Sequence, residues 1–154
     1  MFVWDEKLSE AAEPVMDERK RFIERLSPLC EHFHYELSGG RETLRAVYEP
    51  SVEGEHGKLR EKLLNALKQN LERDIRNKAT GVGPHKDDIA FKIGDRDLRW
   101  FGSQGQQRTA ALALKLAQLE LMKEELGEYP VLLLDDVLSE LDIARQERLL
   151  SRLK

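Results

Sequence analysis

Two adjacent carboxylates after an apolar run are the strongest candidates for chemistry in this 154-residue chain. Residues 131–134 read VLLL, and Asp135 and Asp136 follow directly. A short apolar run fits a central parallel strand, and α/β sheets place ligands at the carboxyl ends of such strands. Asp135 would hold Mg²⁺, because hard cations prefer oxygen ligands, and Asp136 would polarise an attacking water. The alternative is a buried strand that merely ends in acidic turn residues.

A second candidate for phosphate chemistry lies directly before a predicted apolar helix. Residues 101–108 read FGSQGQQR, and the helix is expected from about residue 108 to 126, where Gly127 would end it. A serine, a permissive glycine and unpaired amides at a helix N-terminus form an anion site suited to a nucleotide γ-phosphate. The candidate nucleotide contacts are Ser103, Gln104, Gly105 and Gln106. By itself, a serine and glycine at this spacing would usually mark a capped loop that enters a core helix.

The order of these segments resembles that of an ABC-type ATPase. Residues 101–108 resemble its signature motif, and residues 131–136 resemble its Walker B strand. Residues 139–142 read SELD and resemble the D-loop, which in this class crosses to the partner subunit. The resemblance makes Ser139 and Asp142 further candidate nucleotide contacts. Together the segments favour nucleotide binding over a chance match.

Two other segments look like nucleotide motifs and are rejected. Residues 37–40 read LSGG, but Arg41 follows where a signature has glutamine. We predict instead a hairpin turn there, between residues 35–37 and 44–48. Gly57-Lys58 lacks both the upstream glycine and the following serine or threonine of a phosphate-binding loop. The sequence therefore contains no Walker A motif.

The remaining pattern predicts mainly helices. An amphipathic helix is expected over residues 6–33, kinked or split at Pro14 and again at Ser27-Pro28. Leucines every four residues predict a helix over residues 58–78, and a final charged helix should begin near Ile143. Residues 89–93 and 98–100 should pair as strands around a Gly94-Asp95 turn.

Composition limits the possible function classes. A charged fraction of 35% with 40% apolar residues is typical of a globular chain, and no apolar run reaches membrane-spanning length. A single cysteine and a start without a signal sequence predict a cytoplasmic protein. Because the net charge is -4, DNA binding would need a local basic patch. Arg96 and Arg99 beside Trp100 are the candidates, unless Trp100 belongs to the core.

Residues 83–88, which read GPHKDD, complete a resemblance to one family. A metal site at His85, Asp87 and Asp88 is conceivable, but a turn is the favoured interpretation. Together with the signature-like, Walker B-like and D-loop-like segments, GPHKDD resembles the RecF family, ATPases related to the heads of Rad50 and SMC proteins. The resemblance covers essentially the whole chain and implies an α/β fold, the signature and Walker B half of a P-loop ABC-type head. Residues 1–80 would be part of a mainly helical arm domain containing a small hairpin, and residues 81–154 the C-terminal half of the head.

The same resemblance implies a function for the complete protein. RecF-like proteins are cytoplasmic, use ATP and Mg²⁺, and bind single-stranded and gapped double-stranded DNA. They form ATP-dependent homodimers and act with RecR and RecO to help load RecA. Because this sequence lacks Walker A, we expect a fragment that hydrolyses no ATP alone. The alternatives are a head fragment of another SMC, Rad50 or RecN kind of ATPase, and a non-enzymatic DNA- or partner-binding module.

Overall fold

The computed structural model describes residues 2–54, 57–133 and 142–152. The chain divides into two compact units, one formed by Met1–Phe22 and Tyr48–Ile89 and the other by Ile23–Val47 and Ala90–Lys154. In chain order the elements are α1 (Phe2–Ser38), β1 (Leu44–Glu49), α2 (Leu59–Asn77), a 3-10 turn (Pro84–Lys86), β2 (Asp88–Ile93), β3 (Arg96–Asp97), α3 (Leu98–Phe101), α4 (Gln104–Leu126) and α5 (Ile143–Arg152). The predicted boundary between arm and head concerns the complete protein and stays a prediction.

Helix α1 is longer and more regular than the sequence pattern predicts. It runs without interruption through Pro14 and Pro28, so the predicted split is wrong. Both prolines lie on the exposed side, while the buried side chains recur every three or four residues along the opposite stripe. The free energy gained by burying that stripe offsets the loss of the backbone hydrogen bonds that the prolines remove.

The predicted hairpin around residues 37–40 is also wrong. Residues 35–37 belong to α1, and the two glycines end the helix with φ of 73° at Gly39 and 75° at Gly40. The Gly40 amide donates to the Tyr35 carbonyl at 2.8 Å, as in a left-handed helix C-cap. The LSGG segment therefore lies at a helix C-terminus, where carbonyls rather than amides are exposed.

The first unit has its own apolar core between α1 and α2. Ala12 and Met16 of α1 pack with Leu59, Leu63 and Leu67 of α2. The predicted helix over residues 58–78 is confirmed as α2, although its last apolar residue, Ile75, is exposed. The core therefore covers only the first three turns of the leucine stripe.

A buried carboxylate organises the GPHKDD segment. The side chain of Asp87 is 2% exposed and accepts hydrogen bonds from the Tyr48 hydroxyl at 2.5 Å and the Ser51 amide at 2.8 Å. Arg19 completes this arrangement with an ion pair at 3.2 Å. His85 turns away to the Thr80 carbonyl, 2.9 Å from its Nε2. The segment is thus a turn whose acidic group has structural partners, as the favoured interpretation predicts.

The strands form one sheet in the order β1-β2-β3. β2 and β3 are antiparallel, with Lys92 opposite Asp97 and Ile93 opposite Arg96, and Gly94 takes a φ of 59° in the turn. The predicted hairpin turn is confirmed, but the predicted return strand over residues 98–100 is wrong, because the return strand is Arg96–Asp97 and the next residues are helical. Asp97 caps α3 by accepting from the Arg99 amide at 2.8 Å, which starts a helix where residues 98–100 were expected to be extended.

The predicted central strand is not seen in the described part of the chain. Residues 131–133 form no strand, and Val131 and Leu133 are each 88% exposed. A strand that is apolar on both sides is typical of a sheet covered on both faces, and β1, β2 and β3 do not pair with this segment. The described residues are therefore mainly helical with a small sheet, and the partial P-loop sheet remains a prediction. No helix among them is long and apolar enough to cross a membrane.

Candidate functional site

Helix α4 begins inside the signature-like segment, four residues before the predicted start. Ser103 is its N-cap, and a reciprocal capping box closes the first turn. The backbone N–H of Gln106 donates to Ser103 Oγ at 3.3 Å, and the backbone N–H of Ser103 donates to the side-chain oxygen Oε1 of Gln106 at 2.8 Å. The amides of Gln104 and Gly105 lie in the same turn, where an α-helix provides no acceptor. This places Ser103, Gln104, Gly105 and Gln106 together at one helix N-terminus.

The surroundings of the two glycines of this segment, Gly102 and Gly105, differ in whether they would accept a larger side chain. A Cβ on Gly102 would lie 2.6 Å from the Leu98 carbonyl oxygen, so the turn from α3 into α4 requires glycine. A Cβ on Gly105 would meet only Arg145 Nη1, at an ordinary 3.7 Å, among the described residues. Glycine inside a helix costs about 1 kcal/mol relative to alanine. Packing within the described chain therefore does not explain Gly105.

The side chain of Gln106 is held from both ends. Its Oε1 accepts from the Ser103 amide, and its Nε2 donates to the Glu42 carboxylate at 2.7 Å. Glu42 lies between α1 and β1, and its carbonyl oxygen is 3.3 Å from Nδ1 of the fully buried His34. Burial lowers the pKa of His34, so the ring is neutral at pH 7 and donates through Nδ1.

Arg145 connects Asp142 with this turn, because its guanidinium contacts both. The Arg145 amide donates to Asp142 Oδ1 at 2.9 Å, and Arg145 Nη1 pairs with Asp142 Oδ2 at 2.7 Å. That backbone hydrogen bond is the main cause of a lowered pKa for Asp142, which caps α5. The same Nη1 is the atom closest to the Gly105 position. Asp142 and the α4 N-terminus are therefore neighbours.

The candidate DNA-contacting residues lie on the approach to α4. Arg96 in β3 and Arg99 in α3 are both exposed. Trp100 is 75% exposed and Phe101 is 71% exposed, so Trp100 does not belong to the core of the described residues. The α3 segment is fixed to α4 because Gln107 Nε2 donates to the Leu98 carbonyl at 3.0 Å.

Comparison with known proteins identifies the family. The chain is 47% identical over 156 residues to the DNA replication and repair protein RecF of Alkaliphilus oremlandii, covering 99% of this chain and 43% of that relative. It is 49% identical over 152 residues to the RecF protein of Halalkalibacterium halodurans, covering 96% of this chain and 41% of that relative. The chain belongs to the RecF family. No protein-family model matches it.

Solved RecF structures share the fold. The structure of the recombination mediator protein RecF-ATP in the RecFOR pathway matches with a TM-score of 0.85 at 42% identity, over 99% of this chain and 42% of that one. A second structure, of RecF-ATPrS in the same pathway, matches with a TM-score of 0.87. This chain thus spans less than half the length of the RecF proteins it matches.

Several predicted site residues of this RecF-family chain lie outside the described residues. They are the metal candidate Asp135, the catalytic candidate Asp136 and the D-loop candidate Ser139. Among the described residues no three metal-ligating side chains cluster. The sequence reasoning missed Glu42 and Arg145, which contact the site from distant segments. The S-x-x-Q spacing of a capping box was a signal that would have placed the start of α4 correctly.

Proposed function

We propose that this chain supplies the signature-motif face of an ATP-gated, RecF-type DNA-repair protein. The observation that carries the proposal is Gly105, a helical glycine that packing among the described residues does not require. A glycine there leaves the helix surface open to a close approach from outside, as a phosphate group needs. The solved relatives named RecF-ATP and RecF-ATPrS make ATP the fitting nucleotide.

The hydrogen bonds of Ser103 suit a phosphate contact. Its Oγ already accepts from the Gln106 amide, so the hydroxyl proton is left to donate to an external acceptor. The amides of Gln104 and Gly105 point out of the same turn, and the helix dipole favours negative charge there. Three donors thus converge where a γ-phosphate held by a second head would dock.

The remaining roles follow from the sequence motifs. Asp135 would hold Mg²⁺, which would supply positive charge to the nucleotide, and Asp136 would polarise the attacking water. Ser139 and Asp142 would contact the nucleotide across the dimer through the D-loop. In the complete protein, nucleotide then lies within the interface between two heads, and hydrolysis separates them.

DNA binding would use the surface next to the signature turn. Arg96 and Arg99 supply positive charge, and the exposed Trp100 offers a ring on which a base can stack. By family resemblance the DNA is single-stranded or gapped, and the complete protein acts with RecR, RecO and RecA in recombinational repair. The RecFOR pathway named for the solved relatives supports these partners.

The nucleotide role is tested by replacing Ser103 with arginine in the complete protein. A bulky cation should block closure, so sedimentation with a non-hydrolysable ATP analogue should show a dimer for the wild type and a monomer for Ser103→Arg. Binding of ATP by the monomer should change less than about twofold, because the variant residue acts on the partner's nucleotide. Ser151→Arg, an exposed serine in α5, is the matched control. Normal dimerisation of Ser103→Arg would show that the turn has no such role.

The DNA role is tested with Arg99→Ala and Arg96→Ala in the complete protein. Each should weaken binding of gapped DNA several-fold and make the affinity less sensitive to salt, with a slope smaller by about one. Arg73→Ala, at an exposed position of α2, is the control for loss of one surface charge. Equal affinities and equal salt slopes for all three variants would exclude this surface.

A further inference from the structure

The Gln106 side chain is already engaged by the protein at both its carbonyl and its amino end. Its carbonyl oxygen holds the Ser103 amide, and its amino group holds the Glu42 carboxylate at 2.7 Å. The bond to Glu42 is charge-assisted and joins residues 64 positions apart. Gln106 therefore acts on the site through the geometry of Ser103.

Glu42 is anchored in turn to the C-terminal end of α1. Its carbonyl oxygen lies 3.3 Å from His34 Nδ1 and 3.4 Å from Ser38 Oγ, whose single proton it shares with the Tyr35 carbonyl at 3.1 Å. His34 is fully buried, and its Nε2 has no hydrogen-bond partner among the described residues. Among the described residues, the Glu42 carbonyl is thus the hydrogen-bond partner of this ring.

Helix α5 reaches the same end of α1. Arg148 Nη1 donates to the Leu37 carbonyl at 3.1 Å, and its guanidinium lies against Gly39, where a Cβ would be 2.8 Å from Nη2. The C-terminal turn of α1 is thus in contact with α5 and, through Glu42, with the first turn of α4. These contacts join three helices around the proposed phosphate site.

We infer that Glu42 is a positioning residue that couples the end of α1 to the signature turn by holding Gln106. When the Glu42–Gln106 bond is made, Gln106 Oε1 fixes the Ser103 backbone and the hydroxyl points to the docking nucleotide. Without the Glu42–Gln106 bond, Ser103 loses its fixed orientation. The inference rests on the proposed function, because it names a positioning residue of that same site.

The test uses the complete protein with three substitutions. Glu42→Ala removes the bond, Glu42→Gln keeps an acceptor for Gln106 Nε2 without the charge, and Glu31→Ala removes an exposed carboxylate of α1 as the control. Glu42→Ala should need about tenfold more protein to dimerise with a non-hydrolysable ATP analogue, while its monomer binds ATP within about twofold of the wild type. Glu42→Gln should recover most of the dimerisation, and Glu31→Ala should match the wild type.

Amide hydrogen exchange without nucleotide separates the local effect from the dimerisation. In Glu42→Ala the Ser103 amide, which donates to Gln106 Oε1, should exchange about tenfold faster, with no change in Glu31→Ala. If Glu42→Ala dimerises like the wild type while Ser103→Arg does not, the positioning role is wrong and the proposed function stands. If the wild type itself forms no dimer with the analogue, the proposed function falls and this inference falls with it. If Glu42→Gln is folded but as defective as Glu42→Ala, the hydrogen-bond mechanism is wrong.

Discussion

The N-terminal turn of α4 uses different atoms for helix capping and for ligand binding. Capping uses the Ser103 oxygen and Gln106 Oε1 as acceptors, while Gln106 Nε2 donates to Glu42. It leaves the Ser103 hydroxyl proton and the amides of Gln104 and Gly105 for an external anion. Helix stability and nucleotide binding therefore do not compete for the same groups.

The hydrogen bond between the half-buried Tyr48 and the buried carboxylate of Asp87 predicts a pH dependence of stability. Burial, followed by the hydrogen bond to Asp87, raises the pKa of Tyr48 above its ordinary value of 10.0. The stabilisation is fully present below about pH 10 and is lost as the pH rises through the higher pKa of the folded state, because ionisation then favours unfolding. The free energy of unfolding, measured with urea from pH 7 to pH 11, should fall above about pH 10.

Tyr48→Phe should remove this alkaline component. At pH 7 it should lower the free energy of unfolding by about 1 kcal/mol, because one hydrogen bond to Asp87 is lost. Above about pH 10 its curve should be flatter than that of the wild type. Tyr35→Phe, at an exposed position of α1, is the control. Parallel alkaline slopes for wild type and Tyr48→Phe would contradict the assignment.

Helix α1 shows where local sequence signals fail. The patterns for α2, α4, α5 and the Gly94 turn reflect local propensity and caps, and the structure confirms them. The two prolines of α1 are strong local breakers, yet the helix continues because its buried stripe is stabilised by distant segments. Tertiary packing of that kind is not visible in a window of neighbouring residues.

In the candidate site, too, the local motif could be predicted from the sequence, but the contacts from distant segments could not. The turn from Ser103 to Gln106 is a continuous motif, so its residue types and spacing reveal it. Glu42 and Arg145 reach it only through the fold, from 64 positions before Gln106 and from the start of α5. Contacts between distant segments depend on how α1, α4 and α5 pack, and a single sequence does not contain that information.

Replacing Pro28 in α1 should stabilise the protein. Proline leaves the carbonyl four residues earlier without its helical donor, and alanine would restore that hydrogen bond. Because Pro28 is exposed, no packing is lost. Pro28→Ala should raise the free energy of unfolding by about 1–3 kcal/mol. Pro50 lies outside any helix, so Pro50→Ala should lower the free energy of unfolding, because it only gives the unfolded chain more conformational freedom. Equal changes in the free energy of unfolding for Pro28→Ala and Pro50→Ala would contradict this explanation.

At the scale of the whole molecule, residues 131–133 include the most exposed large apolar side chains of the described chain. Val131 and Leu133 are each 88% exposed, although the sequence pattern is that of a strand covered on both faces. The chain spans 41–43% of the length of the two RecF relatives compared above. We therefore propose that the rest of the complete protein supplies the strands that cover this segment.

A single substitution distinguishes covered from exposed apolar residues. Leu133→Ala in the 154-residue chain should change the free energy of unfolding by less than about 0.5 kcal/mol, because the side chain is already in water. In the complete protein the same substitution should lower the free energy of unfolding by about 2–5 kcal/mol, since it would leave a cavity in the core that covers the sheet. Leu63→Ala, in the α1–α2 core, should be destabilising in both and serves as the positive control. A small effect of Leu133→Ala in the complete protein would mean that its sheet does not include this segment, and the assignment of Asp135 to the carboxyl end of a central strand would fail with it.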